Sequence, residues 1–184
     1  MAIKKTSREE ILQKAISLFK KRGYYNTSIA NIASECGLIK GSLYHHFKSK
    51  DEIGLESLKY IHDYFEKNIF CIAYDERLND KEKIKLFIKK VDEYFLNSEG
   101  GCLLGNLALE VSSENEEFKE YIKKYFLTWE EALFNILKNK YSNQEARALA
   151  REYVSLTQGA IMLMNLYENN KDYLKVGEKI INLV

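Results

Sequence analysis

Four times in 184 residues the pattern Ser-x-x-Glu stands at the head of an apolar run: Ser7 with Glu10, Ser49 with Glu52, Ser113 with Glu116, and Ser142 with Glu145. At this spacing the serine hydroxyl accepts from the backbone N–H three residues on, and the glutamate reaches back to the serine's own N–H. Two of the donors that a helix start leaves unpaired are thereby satisfied. Asn79 with Glu82 is a weaker copy. The chain has no proline to break a helix interior, and its nine glycines are too few for a loop-rich β protein. These signals predict an all-α fold of about nine helices.

Apolar spacing fills in the helices. The first turns Ile11, Leu12, Ala15, Ile16, Leu18 and Phe19 inward and ends at Gly23. A long fourth helix is expected over residues 50–74, a fifth over 81–97, a short buried sixth over 103–111, and a seventh over 115–140. The eighth, over 144–168, is apolar around most of its girth, as expected of a helix that meets its own core on one side and a partner on another. A last helix follows, with Tyr173, Leu174, Val176, Ile180 and Ile181.

Between the first and fourth helices lies NTSIANIASECGLIKGSLYHHFKSKDEI, residues 26–53. Thr27 or Ser28 can cap a short helix whose Ile29, Ile32 and Ala33 face inward, and Gly37 can close it. A second short helix begins near Lys40, anchored by Leu43 and Phe47 four residues apart. That is the plan of a helix-turn-helix DNA reader. The faces left outward suit a duplex: Lys40 with Tyr44, Gly41 with His45, and Ser42 with His46. Lysine neutralises phosphate, hydroxyls bond phosphate or base edges, and glycine lets the backbone approach closely. Lys40, Tyr44, Lys48 and Thr27 are candidates for the phosphates, Ser42 and His45 for base edges, and His46 for either, with Ser28 counted among the DNA-binding residues. Lys48 and Lys50 extend the positive surface.

Charge agrees with this placement. Residues 1–50 hold eight lysines and two arginines against three glutamates, a formal +7, and the remainder holds 18 basic and 24 acidic residues, a formal −6. The small net charge of +1 hides a dipolar chain with its positive end on the proposed reader. The alternative reading of such charge is a solvated helical hairpin.

At these residues the chain resembles the TetR family of bacterial transcriptional regulators. The resemblance covers about residues 7–53: SREEILQKAISLFKKRGY, then NTSIANIASECG, then KGSLYHHFKSKDEI. It implies an all-α fold, a homodimer, and binding to double-stranded operator DNA that a small-molecule effector relieves. One residue departs from the pattern. Before Lys40 the family usually has a small hydroxyl residue as cap, and here Ile39 cannot serve, at a cost of about 1 kcal/mol for an uncapped start. By the resemblance, residues 1–49 form the DNA-binding head and 50–184 an effector-binding and dimerisation body. The last two helices then pair with their copies, through Tyr153, Leu156, Ala160, Leu163, Tyr173 and Ile180, or else complete the protomer's own core.

The body's ligand candidates are the aromatics Tyr64, Phe65, Phe95, Phe126 and Trp129, which would favour a flat or apolar effector. The same rings at helical spacing also read as core. Cys102 and Asn106 join them because several TetR-like regulators carry a similar Gly-Cys-Leu-Gly-Asn stretch at one end of the effector cavity; a packed hinge is the other reading. Cys102, just before a helix start, reads as a reactive thiol or as a small buried hydrophobe.

Catalytic, metal and cofactor chemistry are not expected. His45 and His46 are adjacent on one helix and point apart, no Ser-His-acid set can be placed, and no phosphate-cradling glycine loop is present. Three dispersed cysteines form neither a disulfide framework nor a zinc pattern, which favours a reducing cytoplasm. No apolar run of 18 residues and no leader pattern indicates a membrane. The sequence therefore predicts a ligand-responsive, DNA-binding regulator, most simply a repressor. The alternative is an all-α ligand-binding or enzymatic protein whose helix-turn-helix no longer reads DNA.

Overall fold

The computed structural model describes residues 6–111 and 113–184. Among them are nine α-helices and no strand: α1 (Arg8–Arg22), α2 (Ile29–Glu35), α3 (Lys40–Tyr44), α4 (Lys50–Asn68), α5 (Asp80–Leu96), α6 (Leu103–Val111), α7 (Glu116–Leu137), α8 (Asn143–Tyr167) and α9 (Lys171–Ile181). No helix among these residues is long and apolar enough to cross a membrane.

Local capping explains most of the starts. Ser7, Asn79 and Ser142 each close a full reciprocal box with the residue three on, and Ser28 does the same with Asn31. Ser49 accepts from the Glu52 N–H at 3.0 Å, but Glu52 turns its carboxylate to the Lys48 N–H at 2.6 Å. The box expected at Ser113 does not form. Asn115 directly precedes α7, and its Oδ1 accepts from the Phe118 N–H at 3.0 Å, while Ser113 sits in the turn before it.

The fourth helix is shorter than its apolar spacing predicts. It stops at Asn68, and a 3₁₀ turn spans Phe70–Tyr74. The break at Ile69 carries Phe70 into contact with the rings of Phe65, Phe87, Tyr125 and Trp129. Side-chain amides donate to carbonyls on either side of the break: Asn68 Nδ2 to Tyr64 O at 2.8 Å, and Asn135 Nδ2 to Ala73 O at 2.7 Å. Burying a ring of this size stabilises by about 1.5–3 kcal/mol, enough to outweigh continuing the helix by one turn.

The chain divides into two compact units, Met1–Ile61 with Leu103–Ile122, and His62–Cys102 with Lys123–Val184. The first therefore includes α6 and the start of α7, which a division at residue 49 assigned to the body. Its core holds Ile11, Phe19, Tyr24, Ile32, Leu43, Phe47, Ile53 and Phe118. The second is built on an aromatic core of Phe65, Phe70, Phe87, Phe95, Tyr125 and Trp129, with α9 packed on α5 and α8.

Candidate nucleic-acid interface

The turn between α2 and α3 is set by Gly37, whose φ of +67° is inexpensive without a Cβ. The Leu38 N–H donates to Ala33 O at 2.8 Å and closes the end of α2. Leu43 and Phe47, each 1% exposed, then pin α3 to the core. Lys40, Gly41, Tyr44, His45 and Lys48 are exposed, and Ser42 and His46 half-buried, so the expected reading face is presented together. Ile39 makes no side-chain cap and is 75% exposed.

Two details distinguish this face from an ordinary solvated surface. Lys40 and Lys48 form no ion pair with a carboxylate among the described residues, so their charge is available to an outside anion. Gly41 has open space where a Cβ would stand, with nothing within 4 Å, so the fold itself does not demand glycine there.

Arg8, which sequence reasoning passed over, holds the far end of α3. One guanidinium nitrogen donates to the His46 carbonyl and another to Glu52 at 2.9 Å, while the group lies 3.9 Å from the Phe47 ring centroid. The Lys48 backbone N–H and then Arg8 keep the Glu52 carboxyl below its usual range. The only sequence signal was that Arg8 and Glu52 each stand in the first turn of a capped helix.

Thr27 and Lys50 are turned away from the face, while Ser28 stays exposed as a helix cap. Thr27 is fully buried, and its hydroxyl donates to Gly23 O at 2.8 Å, so it has nothing to offer a phosphate. Ser28 is the cap, exposed, with Oγ donating to Asn31 Oδ1 at 2.6 Å. Lys50 turns inward, donating to Tyr24 O at 3.1 Å with its ammonium 4.3 Å from the Tyr24 ring centroid. Tyr24 also donates its hydroxyl to Asp51, and burial first and Asp51 second push the phenol well above its usual range.

Within the same unit α6 supports the turn after α1. Glu110 accepts from the Tyr24 and Tyr25 N–H groups at 2.7 and 3.3 Å, and Tyr25 donates its hydroxyl to Glu114 at 2.6 Å. These acids were not anticipated, because nothing near Tyr24 in sequence marks an acceptor 86 residues away.

In the second unit Phe65, Phe95 and Trp129 form one cluster, with centroids 5.9 Å apart for Phe65 with either neighbour and 6.3 Å for the stacked Phe95–Trp129 pair. They are packed ring on ring. Phe126 is half-buried beside Tyr125, Tyr64 is 43% exposed, and Cys102 is buried. Asn106 lies half-buried on α6, in the first unit. Trp129 also lines a void of about 10 Å³ with Asp92, Thr157 and Tyr173, a group the sequence did not bring together.

The residues expected at a dimer face divide. Leu156 is exposed, and Tyr153 and Leu163 are half-buried. Ala160, Tyr173 and Ile180 are buried inside the protomer and complete its core, so they are not available to a partner. Met162, Leu166 and Tyr167 are 60%, 68% and 66% exposed and continue the apolar surface of α8 instead.

Residues 11–56 match the family described as bacterial regulatory proteins, tetR family, and residues 81–179 match the transcriptional regulator LmrA/YxaF-like C-terminal domain. The HTH-type transcriptional regulator YxaF of Bacillus subtilis is 35% identical over 183 residues, covering 97% of this chain and 95% of its own. The HTH-type transcriptional regulator LmrA of the same species is 28% identical, covering 97% and 96%. The crystal structure of a TetR transcriptional regulator from Legionella pneumophila superposes with a TM-score of 0.88 at 29% identity over the whole of both chains.

Proposed function

The chain belongs to the TetR family of helix-turn-helix transcriptional regulators, and from that premise we propose that it is a dimeric repressor released from a near-palindromic operator by a small molecule. The observation that carries the DNA half is the α3 face: unpaired lysines flanking a glycine with open space over it. Lys40, Tyr44, Lys48 and Ser28 hold phosphates, Ser42 and His45 meet base edges in the major groove, and His46 does either. Two heads of a dimer would read half-sites about 34 Å apart, or a modest multiple of that.

The exposed apolar surface of α8 supports pairing of two copies through Leu156, Leu163, Leu166 and neighbouring residues. The effector acts from the second unit in the cytoplasm. It shifts the population only by as much as it prefers the head spacing that does not fit the operator.

Fluorescence anisotropy against DNA from upstream of the protein's own gene, at two salt concentrations with shuffled DNA as control, tests the reading. The expected result is tight, salt-sensitive binding that shuffled DNA does not match. Equal weak binding to both, and to fragments selected across the genome, would overturn it. Uncapped, exposed Ile39 favours the second reading, a ligand-binding protein with a silent head, and that outcome would support it.

A further inference from the structure

Ile39 stands in the turn between α2 and α3 with its side chain 75% exposed. It gives α3 no cap, whereas α1, α2, α5 and α8 each open on a side chain that closes a reciprocal box. A singly exposed isoleucine is ordinary on a protein surface. This one directly precedes Lys40, at the entry of the second helix of the motif. The N-terminal residues of that helix are the ones that reach base edges when a helix-turn-helix lies in the major groove.

The position of Ile39 is held from both sides. The Leu38 N–H before it donates to Ala33 O at 2.8 Å, and the Ile39 carbonyl accepts from the Ser42 and Leu43 N–H groups at 3.0 and 3.3 Å. Leu43, four residues on, is buried and anchors the turn of helix that these bonds close. A β-branched side chain on so fixed a backbone has little χ1 freedom to lose on contact. Lys40 and Gly41 beside it are exposed, and nothing lies within 4 Å of where a Gly41 Cβ would stand, so the chain itself does not fill the space on that side.

The major groove offers such a side chain one partner. Base edges there carry hydrogen-bond donors and acceptors, which an isoleucine desolvates without satisfying, and one apolar group, the thymine C5 methyl. We infer that Ile39 is a specificity-determining residue of the DNA reader, packing on a thymine methyl in each half-site. The inference rests on the DNA-reading conclusion above and assigns Ile39 to the reader.

The full chain first selects its preferred duplexes from a randomised pool. Each thymine of the selected sequence is then replaced in turn by deoxyuridine in both half-sites, which keeps the base pair and removes only the methyl. Anisotropy should find a thymine at which the replacement weakens binding by about fourfold per half-site, the order expected of one buried methyl. Ile39→Ser should bind the thymine and deoxyuridine duplexes alike at that position, and Ile39→Val should keep most of the difference. Ile39→Ser supplies a hydroxyl cap, so by circular dichroism it should unfold no earlier than the parent protein. Three results would overturn the inference and leave the DNA reader standing: no thymine whose methyl matters, an undiminished methyl effect in the Ile39→Ser protein, or earlier unfolding of that protein. A pool that yields no preferred sequence would sink the DNA-reading conclusion, and this inference with it.

Discussion

Replacing Gly41 with alanine should move stability and DNA affinity in opposite directions. In a helix interior alanine is favoured over glycine by about 0.5–1 kcal/mol, because glycine loses more backbone freedom on folding. Gly41 is the second residue of a five-residue helix, so about half of that gain is expected. The new Cβ meets nothing within 4 Å, so no packing cost opposes it. For a chain of 184 residues, about 0.5 kcal/mol corresponds to a rise in Tm of about 1–2 °C. On DNA the same methyl reaches about 1.5 Å beyond Cα into the space that a phosphate backbone or base edge would fill. Affinity should fall at least tenfold, equivalent to about 1.4 kcal/mol. Thermal unfolding by circular dichroism and anisotropy at fixed salt read the two effects separately. Affinity within twofold of the parent protein, with Tm raised, would show that DNA does not approach over Gly41. A lowered Tm would show that the space above it is not open.

Gly54 is the converse case: a Cβ there would stand 2.6 Å from Phe118 Cζ and 2.9 Å from Tyr24 Cε2, both on buried rings, so Gly54→Ala should cost about 1–3 kcal/mol in urea unfolding, and an unchanged midpoint would refute the packing. Lys48→Ala should weaken binding to all sequences alike and lower the log–log salt slope by about 0.9 per protomer, about 1.8 for a dimer on its operator; altered base preference with an unchanged slope would refute the phosphate role. Thr27→Val should cost about 1 kcal/mol in thermal unfolding, through the Gly23 carbonyl it leaves unpaired, with the salt slope of DNA binding unchanged; a reduced slope would return Thr27 to the interface. Leu166→Glu should sediment as a monomer with near-normal helicity, and a persistent dimer would remove α8 from the interface.

Legibility in the sequence followed the range of the forces involved. The bounds of α6 and the starts of α1, α5 and α8 follow from caps and spacing that act within four residues. So do Leu43 and Phe47 as anchors and the outward set from Lys40 to Lys48. Where two apolar faces share a helix, periodicity does not say which is covered by the protomer. Ala160, Tyr173 and Ile180 therefore read as surface and are core, while Met162 and Tyr167 went unnoticed at the surface. The stop of α4 at Asn68 was illegible for a related reason: its apolar spacing continues, and the break serves the burial of Phe70 against rings from α5 and α7.

Helix content, helix starts and the composition of the exposed α3 face are thus properties of local sequence, because capping, propensity and side-chain periodicity need only near neighbours. Three contacts could not be read that way: Arg8 on the His46 carbonyl and Glu52, Glu110 under the Tyr24 turn, and Asp92 facing Tyr173 beside Trp129. Each joins residues tens of positions apart, from helices whose crossing alone sets the distance. Only the tertiary packing placed the Asp92 carboxylate next to the Tyr173 phenol, since in sequence Asp92 stands among the charges of an amphipathic helix and its burial is decided by α9 lying across it.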